Sequence, residues 1–116
     1  MVYQFEWSGA HISLNDWYSS AHWTTRANQK YKWHRIFSNI IKDQEVEPIE
    51  HYKIKLKYNS RLDPTNTITM IKLFEDTMVE LGVIKGDSKK YCKGVEIMPV
   101  EELESKQYII EVEKIK

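Results

Sequence analysis

The sequence predicts one α/β or α+β domain, a single mixed sheet flanked by two helices, and three stretches carry that expectation. HYKIKLKYN, residues 51 to 59, alternates Tyr52, Ile54, Leu56 and Tyr58 with Lys53, Lys55 and Lys57. That is the period of a strand with one apolar and one basic face. Residues 25 to 42 instead bring Tyr31, Ile36, Phe37, Ile40 and Ile41 back at helical spacing. Residues 67 to 81 read as a second helix, closed by Gly82, whose missing side chain suits a left-handed helix end.

The other elements follow in chain order. VYQFEW sets Tyr3, Phe5 and Trp7 on one side of a first strand, and SGAHISLNDWYSS reads as an irregular loop. The helix from about Thr25 to Lys42 has Thr24 or Thr25 available as a cap. After the strand at 51 to 59, RLDPTN is a turn leading into the helix from roughly Thr67 to Leu81. VIKGDSKKY is a short loop or strand entry, while CKGVEIMPV and QYIIEVEKI read as two more strands. The predicted order is strand, helix, strand, helix, strand, strand.

Size and composition narrow the class of protein. A chain of 116 residues, 41% hydrophobic and 29% charged, is expected to form one soluble domain over residues 1 to 116. Its apolar runs fall far short of the ~20 residues needed to cross a bilayer, and no basic leader precedes an apolar stretch. A cytoplasmic protein without a membrane partner is expected. Cys92, the sole cysteine, allows neither an internal disulfide nor a CxxC zinc site. His11, His22, His34 and His51 show no HxH or HxxxH spacing, so none is taken as a metal ligand.

The formal net charge is zero, which gives no whole-chain argument for nucleic acid. Its distribution does. No acidic residue occurs from Trp17 to Lys42, where Arg26, Lys30, Lys32, Arg35 and Lys42 are basic and His22 and His34 can join them. Acidic residues gather from Asp43 to Glu50 and again at Glu101, Glu102, Glu104, Glu111 and Glu113. Arg26, Lys30, Lys32 and Arg35 are therefore the candidate phosphate contacts. Trp23, Tyr31, Trp33 and Phe37 among them are either core or stacking platforms for bases.

RLDPTN raises a chemical question. Asp63 follows a strand and precedes a helix, and Asp87 lies in the loop beyond that helix. Two such carboxylates, brought together, suit a hard cation such as magnesium or manganese. Lys72 and Asp76, four residues apart, share a helix face, where the lysine can balance phosphate charge. The plain alternative is that the aspartates form turns and the Lys72–Asp76 pair is solvated.

The run LDPTNTITMIKLFEDTMVELGVIKGDSKKY resembles the signature region of the RusA-type Holliday-junction resolvases of bacteria and their phages. Asp63 matches the first aspartate of an Asp-x-Asp-Asn motif and Asn66 its asparagine; Lys72 and Asp76 match the helix pair, Gly82-Val83-Ile84 a turn, and Asp87-Ser88 an Asp-Asp-Ser segment. SLNDWYSSAHWTTRANQKYKW is similar to the family's upstream loop and basic helix, with Asn15 as the matching asparagine. Two positions depart. Thr65 stands for the second aspartate of the first motif and Gly86 for the first of the last.

The resemblance implies a RusA-like fold and a homodimer that cuts branched DNA, such as four-way junctions, by magnesium- or manganese-assisted phosphodiester hydrolysis. On that reading Asp63, Asp87 and Lys72 are catalytic, with Asp63, Asp87 and Asp76 toward the metal, and Thr65 still points near the cation. The two lost carboxylates leave a second reading open, a weakened member that binds branched DNA or a protein partner without cutting. A third is a small interaction module whose basic helix balances the acidic C-terminal part.

Overall fold

The computed structural model describes residues 1–19 and 23–116, and within the second range it does not cover the side chains of Trp23 and Thr24. His22 thus lies outside the described residues, as do the side chains of Trp23 and Thr24. The chain forms β1 (Val2–Ser8), α1 (Leu14–Ser19), α2 (Trp23–Lys42), β2 (His51–Asn59), a 3₁₀ turn (Pro64–Thr67), α3 (Ile68–Glu80), β3 (Cys92–Pro99) and β4 (Gln107–Ile115). The four strands make one mixed sheet in the order β1-β4-β2-β3. β4 is antiparallel to both β1 and β2, whereas β3 runs parallel to β2. A parallel neighbour needs a crossover, and the turn, α3 and the loop after it supply that connection.

Strand period decides which face is covered. Tyr52, Ile54, Leu56 and Tyr58 join Phe5, Tyr108, Ile110 and Val112 in one buried cluster with Trp33 and Phe37 of α2 and Met70, Phe74 and Met78 of α3. Phe74 meets Phe5 with ring centroids 5.2 Å apart and Phe37 at 5.1 Å, so both helices cover the same sheet face. Trp7 stacks on Tyr108 at 5.3 Å and donates from Nε1 to the Ala10 carbonyl at 2.8 Å. The opposite face is charged and wet. Lys57 pairs with Glu111 at 2.5 Å and Lys55 with Glu96 at 3.5 Å across neighbouring strands.

Three local features differ from the sequence expectation. The stretch read as an irregular loop holds α1, because Ser13 and Asp16 form a reciprocal capping box. The Ser13 N–H donates to Asp16 Oδ2 at 3.1 Å and the Asp16 N–H to Ser13 Oγ at 3.0 Å. α2 starts at Trp23, which puts Thr25 inside its first turn rather than at its cap. Tyr31, counted as an inward position, is 69% exposed; the buried stripe is Trp33, Phe37 and Ile41. Gly82 ends α3 as expected, with φ +76 and its N–H donating to the Val79 carbonyl at 3.0 Å. Among the described residues no helix is long and apolar enough to cross a membrane.

Candidate nucleic-acid interface and carboxylate site

RLDPTN is a hydrogen-bonded turn. Asp63 is its N-cap residue, its carbonyl accepts the Asn66 N–H at 2.9 Å, and its side chain makes no capping bond. Pro64 fits the first helical position because its missing N–H would have no partner there. Thr67 Oγ1 donates to the Pro64 carbonyl at 2.6 Å, and the Tyr58 hydroxyl donates to the Leu62 carbonyl at 2.7 Å. Asp63 and Thr65 are both exposed.

Lys72 and Asp87, fifteen residues apart, meet: Nζ lies 2.5 Å from Oδ2. The contact holds the Asp87 carboxyl below its ordinary value and raises the Lys72 ammonium. Asp63 has a different neighbourhood. Its charge, after burial, raises the phenol of Tyr58 near the end of β2. Asp87 acts instead on Glu75, whose bonding partner Tyr52 lies near the start of that strand. Tyr52 and Tyr58 are six residues apart, about 20 Å along a strand.

Glu75 was not among the candidates from the sequence. It is 4% exposed, one turn beyond Lys72, and its carboxylate accepts the Tyr52 hydroxyl. Burial pushes its carboxyl up, while the Tyr52 hydroxyl and then Lys72 pull it down. Burial and Glu75 together push the Tyr52 phenol far above its usual range, and burial raises the nearby Cys92 thiol. The available sequence signal was Glu75 on the apolar stripe of α3, opposite a strand tyrosine with a phenol to bury.

The cation implied by the resemblance does not fit this donor set as it stands. Among the described residues no three His, Cys, Asp or Glu side chains converge to hold a metal ion. An ammonium already neutralises Asp87, so a divalent ion there competes with Lys72. At Gly86, where the resembled motif is acidic, an added Cβ would lie 3.1 Å from the Tyr91 ring, a tight contact that this partly exposed ring would have to ease by a few tenths of an ångström. Asp76 is partly exposed on the same face of α3 as Lys72.

The basic residues of α2 occupy two sides of the helix. At about 100° per residue, Arg26 and Lys30 continue the stripe of Trp33 and Phe37, whereas Lys32 and Arg35 fall on the far side near Tyr31. Arg26 Nε donates to the Trp17 carbonyl at 3.2 Å, which ties α2 to α1. Lys30, Lys32 and Arg35 are exposed. His34 is drawn away from this field: Nε2 lies 2.5 Å from Glu80 Oε2, and Nδ1 lies 3.1 Å from Thr77 Oγ1. Trp33 and Phe37 are buried, so neither is a stacking platform, but Tyr31 is placed to be one. No family model matches the chain, and no curated protein matches it.

Proposed function

We propose that the chain is a RusA-like binder of branched DNA in which the cutting activity of that family is weakened. The observation that carries the reading is α2: twenty residues with five basic side chains, no acidic one, and Tyr31 exposed between Lys30 and Lys32. Such a surface attracts phosphates, and the tyrosine offers a ring to an unstacked base at a branch point. Lys32 and Arg35, exposed on the side of α2 away from Trp33 and Phe37, would carry the main phosphate contacts, with the exposed Lys30 adding to them. A homodimer, which the resemblance implies, would present two such helices.

Weakened cutting rests on the carboxylate site. Lys72 neutralises Asp87, Gly86 supplies no carboxylate and has the Tyr91 ring close by, and Asp63 has a different charged neighbourhood. The meeting of Lys72 and Asp87 also favours a second reading, a magnesium- or manganese-dependent endonuclease with Asp63, Asp87, Asp76 and Lys72 at its site. Two residues singled out by the resemblance lie in contact although far apart in sequence.

The test is a comparison of four-way junction with linear duplex at several salt concentrations, with and without manganese or magnesium. Tighter junction binding that weakens steeply with salt, without strand cleavage, is the expected result. Equal or undetectable binding to both DNAs overturns the proposal and promotes the interaction module. Cation-dependent cleavage lost in Asp87→Asn establishes the endonuclease reading.

A further inference from the structure

The two edges of the sheet are finished differently. At β1 the Gln44 side chain donates from Nε2 to the Gln4 carbonyl at 2.6 Å, which caps that edge from outside. β3, at the other edge, has a strand on one side only. The Val100 N–H bonds the Tyr58 carbonyl at 2.8 Å, so by strand alternation Gly94, Glu96 and Met98 turn their backbone groups to β2 while Val95 and Ile97 turn theirs outward. Among the described residues nothing bonds them there. Such an edge is a template for a further strand, and the side chains of Val95 and Met98 on it are exposed.

The charges flanking β3 select the strand that fits. Lys89, Lys90 and Lys93 lead into it, and Asp87, the acid of that loop, is held by Lys72. Glu101, Glu102 and Glu104 follow it, with Lys106 after them. These three lysines and three glutamates are exposed, and none has an ion pair among the described residues. β3 is thus basic at its start and acidic at its end. A second β3 laid antiparallel puts each basic end beside an acidic one, and symmetry makes that match twice, whereas a parallel copy sets like against like.

One register suits the side chains as well. With Val95 opposite the same residue of a second copy, Glu96 lies across from Gly94, which has no side chain and where an added Cβ would be 3.7 Å from Lys53 Cγ. Glu96 of one copy can then reach Lys53 of the other. Sliding the copies by two residues to bring Glu96 opposite itself would set carboxylate against carboxylate. We infer that β3 is the interface between two copies of this chain, paired edge to edge and antiparallel about a twofold axis at Val95. One sheet then runs through both copies, with α2 and α3 of each on the same face. The inference deepens the proposed function by giving its homodimer a surface, and it stands on β3 without any DNA.

The test is sedimentation of the full chain over a range of concentrations and salt. An edge of this length buries less than ~1,200 Å², the size of weak, reversible complexes, so a monomer–dimer equilibrium with a midpoint on the order of 10 µM is expected. Added salt should weaken it. Val95→Pro removes an outward N–H that bonds nothing within the chain and should weaken the dimer about tenfold or more. Lys89→Glu with Lys90→Glu sets acid beside acid and should weaken it about fivefold or more; adding Glu101→Lys with Glu102→Lys should restore it. These four side chains are exposed, and a restored dimer is a result that misfolding cannot give. A chain that is monomeric at every concentration, a dimer unmoved by these variants, or a reversal that is not rescued overturns the interface. Four-way junction binding by wild type and Val95→Pro separates this idea from the DNA reading. A β3 dimer without junction preference overturns the DNA reading and leaves the interface; junction preference by a chain that stays monomeric, free and on DNA, overturns the interface and leaves that reading.

Discussion

Two carboxylates associated with α3 sit in opposite circumstances. Asp87 reaches Lys72 at the surface, where water screens the pair and either partner is stable alone. Glu75, one turn further along the helix, is buried and relies on the Tyr52 hydroxyl. The exposed pair is available for chemistry and contributes little to folding; the buried pair is closed to chemistry and makes folding depend on keeping both of its members. What separates them is the cost of removing one member, because a buried charge left without a partner keeps its desolvation penalty.

Single substitutions break the comparison most directly. Tyr52→Phe is expected to destabilise the protein by about 1–3 kcal/mol in urea unfolding, since Glu75 loses its donor. The double variant Tyr52→Phe with Glu75→Leu should recover most of that loss, because both polar partners are then gone. A double variant as unstable as the single one would mean that the ring position, not the bond, matters. At the exposed pair, Asp87→Asn should cost no more than ~1 kcal/mol.

pH sharpens the contrast because the two shifts have opposite signs. The folded-state value of Glu75 lies above the ordinary 4.5, so its contribution is most favourable below 4.5 and is lost as pH rises through the raised value. Asp87 lies below 3.8; its contribution is present above 3.8 and is lost as pH falls through the lowered value. Asp16, held down chiefly by the Ser13 N–H, and Glu111, held down by Lys57, act in the same direction as Asp87. Urea unfolding across pH should show Glu75→Gln flattening the decline above 4.5 and Asp87→Asn softening the acid limb. Both variants following the wild-type profile would contradict these assignments.

Cation binding gives a smaller effect. Lys72→Gln removes the competitor for Asp87 and should strengthen manganese binding in a calorimetric titration; unchanged affinity would exclude Asp87 as a ligand. The smallest effect is expected at the turn. Thr65→Asp should alter stability by no more than about 0.5 kcal/mol and leave manganese affinity unchanged, since Thr65 and Asp63 are exposed and Asp63 has neighbours distinct from those of Asp87. A gain in affinity would restore Asp63 as a ligand.

Strand alternation made β2 legible to its ends, His51 and Asn59, and Gly82 marked the stop of α3. Lys72 and Asp87 were both chosen from the sequence, but their contact was not foreseen, because it depends on how the loop after Gly82 returns. Glu75 was missed because a glutamate on a helix is ordinarily solvated, and only tertiary packing shows that Tyr52 waits opposite it. α1 was missed because Ser13 and Asp16 cap a helix of only six residues, too short for its periodicity to stand out.

The position of β4 bears on how the chain assembles. It is the last strand in sequence yet lies between β1 and β2, pairing Val2 with Glu113 and Ser8 with Gln107. The amino-terminal strand therefore has no sheet partner until some hundred further residues have been synthesised. Closing contacts at that separation puts this topology toward the slower end of single-domain folding, and leaves the aromatic face of β1 open to misassociation in the interval. A circular permutant that joins the present ends and opens the chain in the segment between Pro99 and Gln107 would turn that longest-range pairing into a local one and is expected to fold faster.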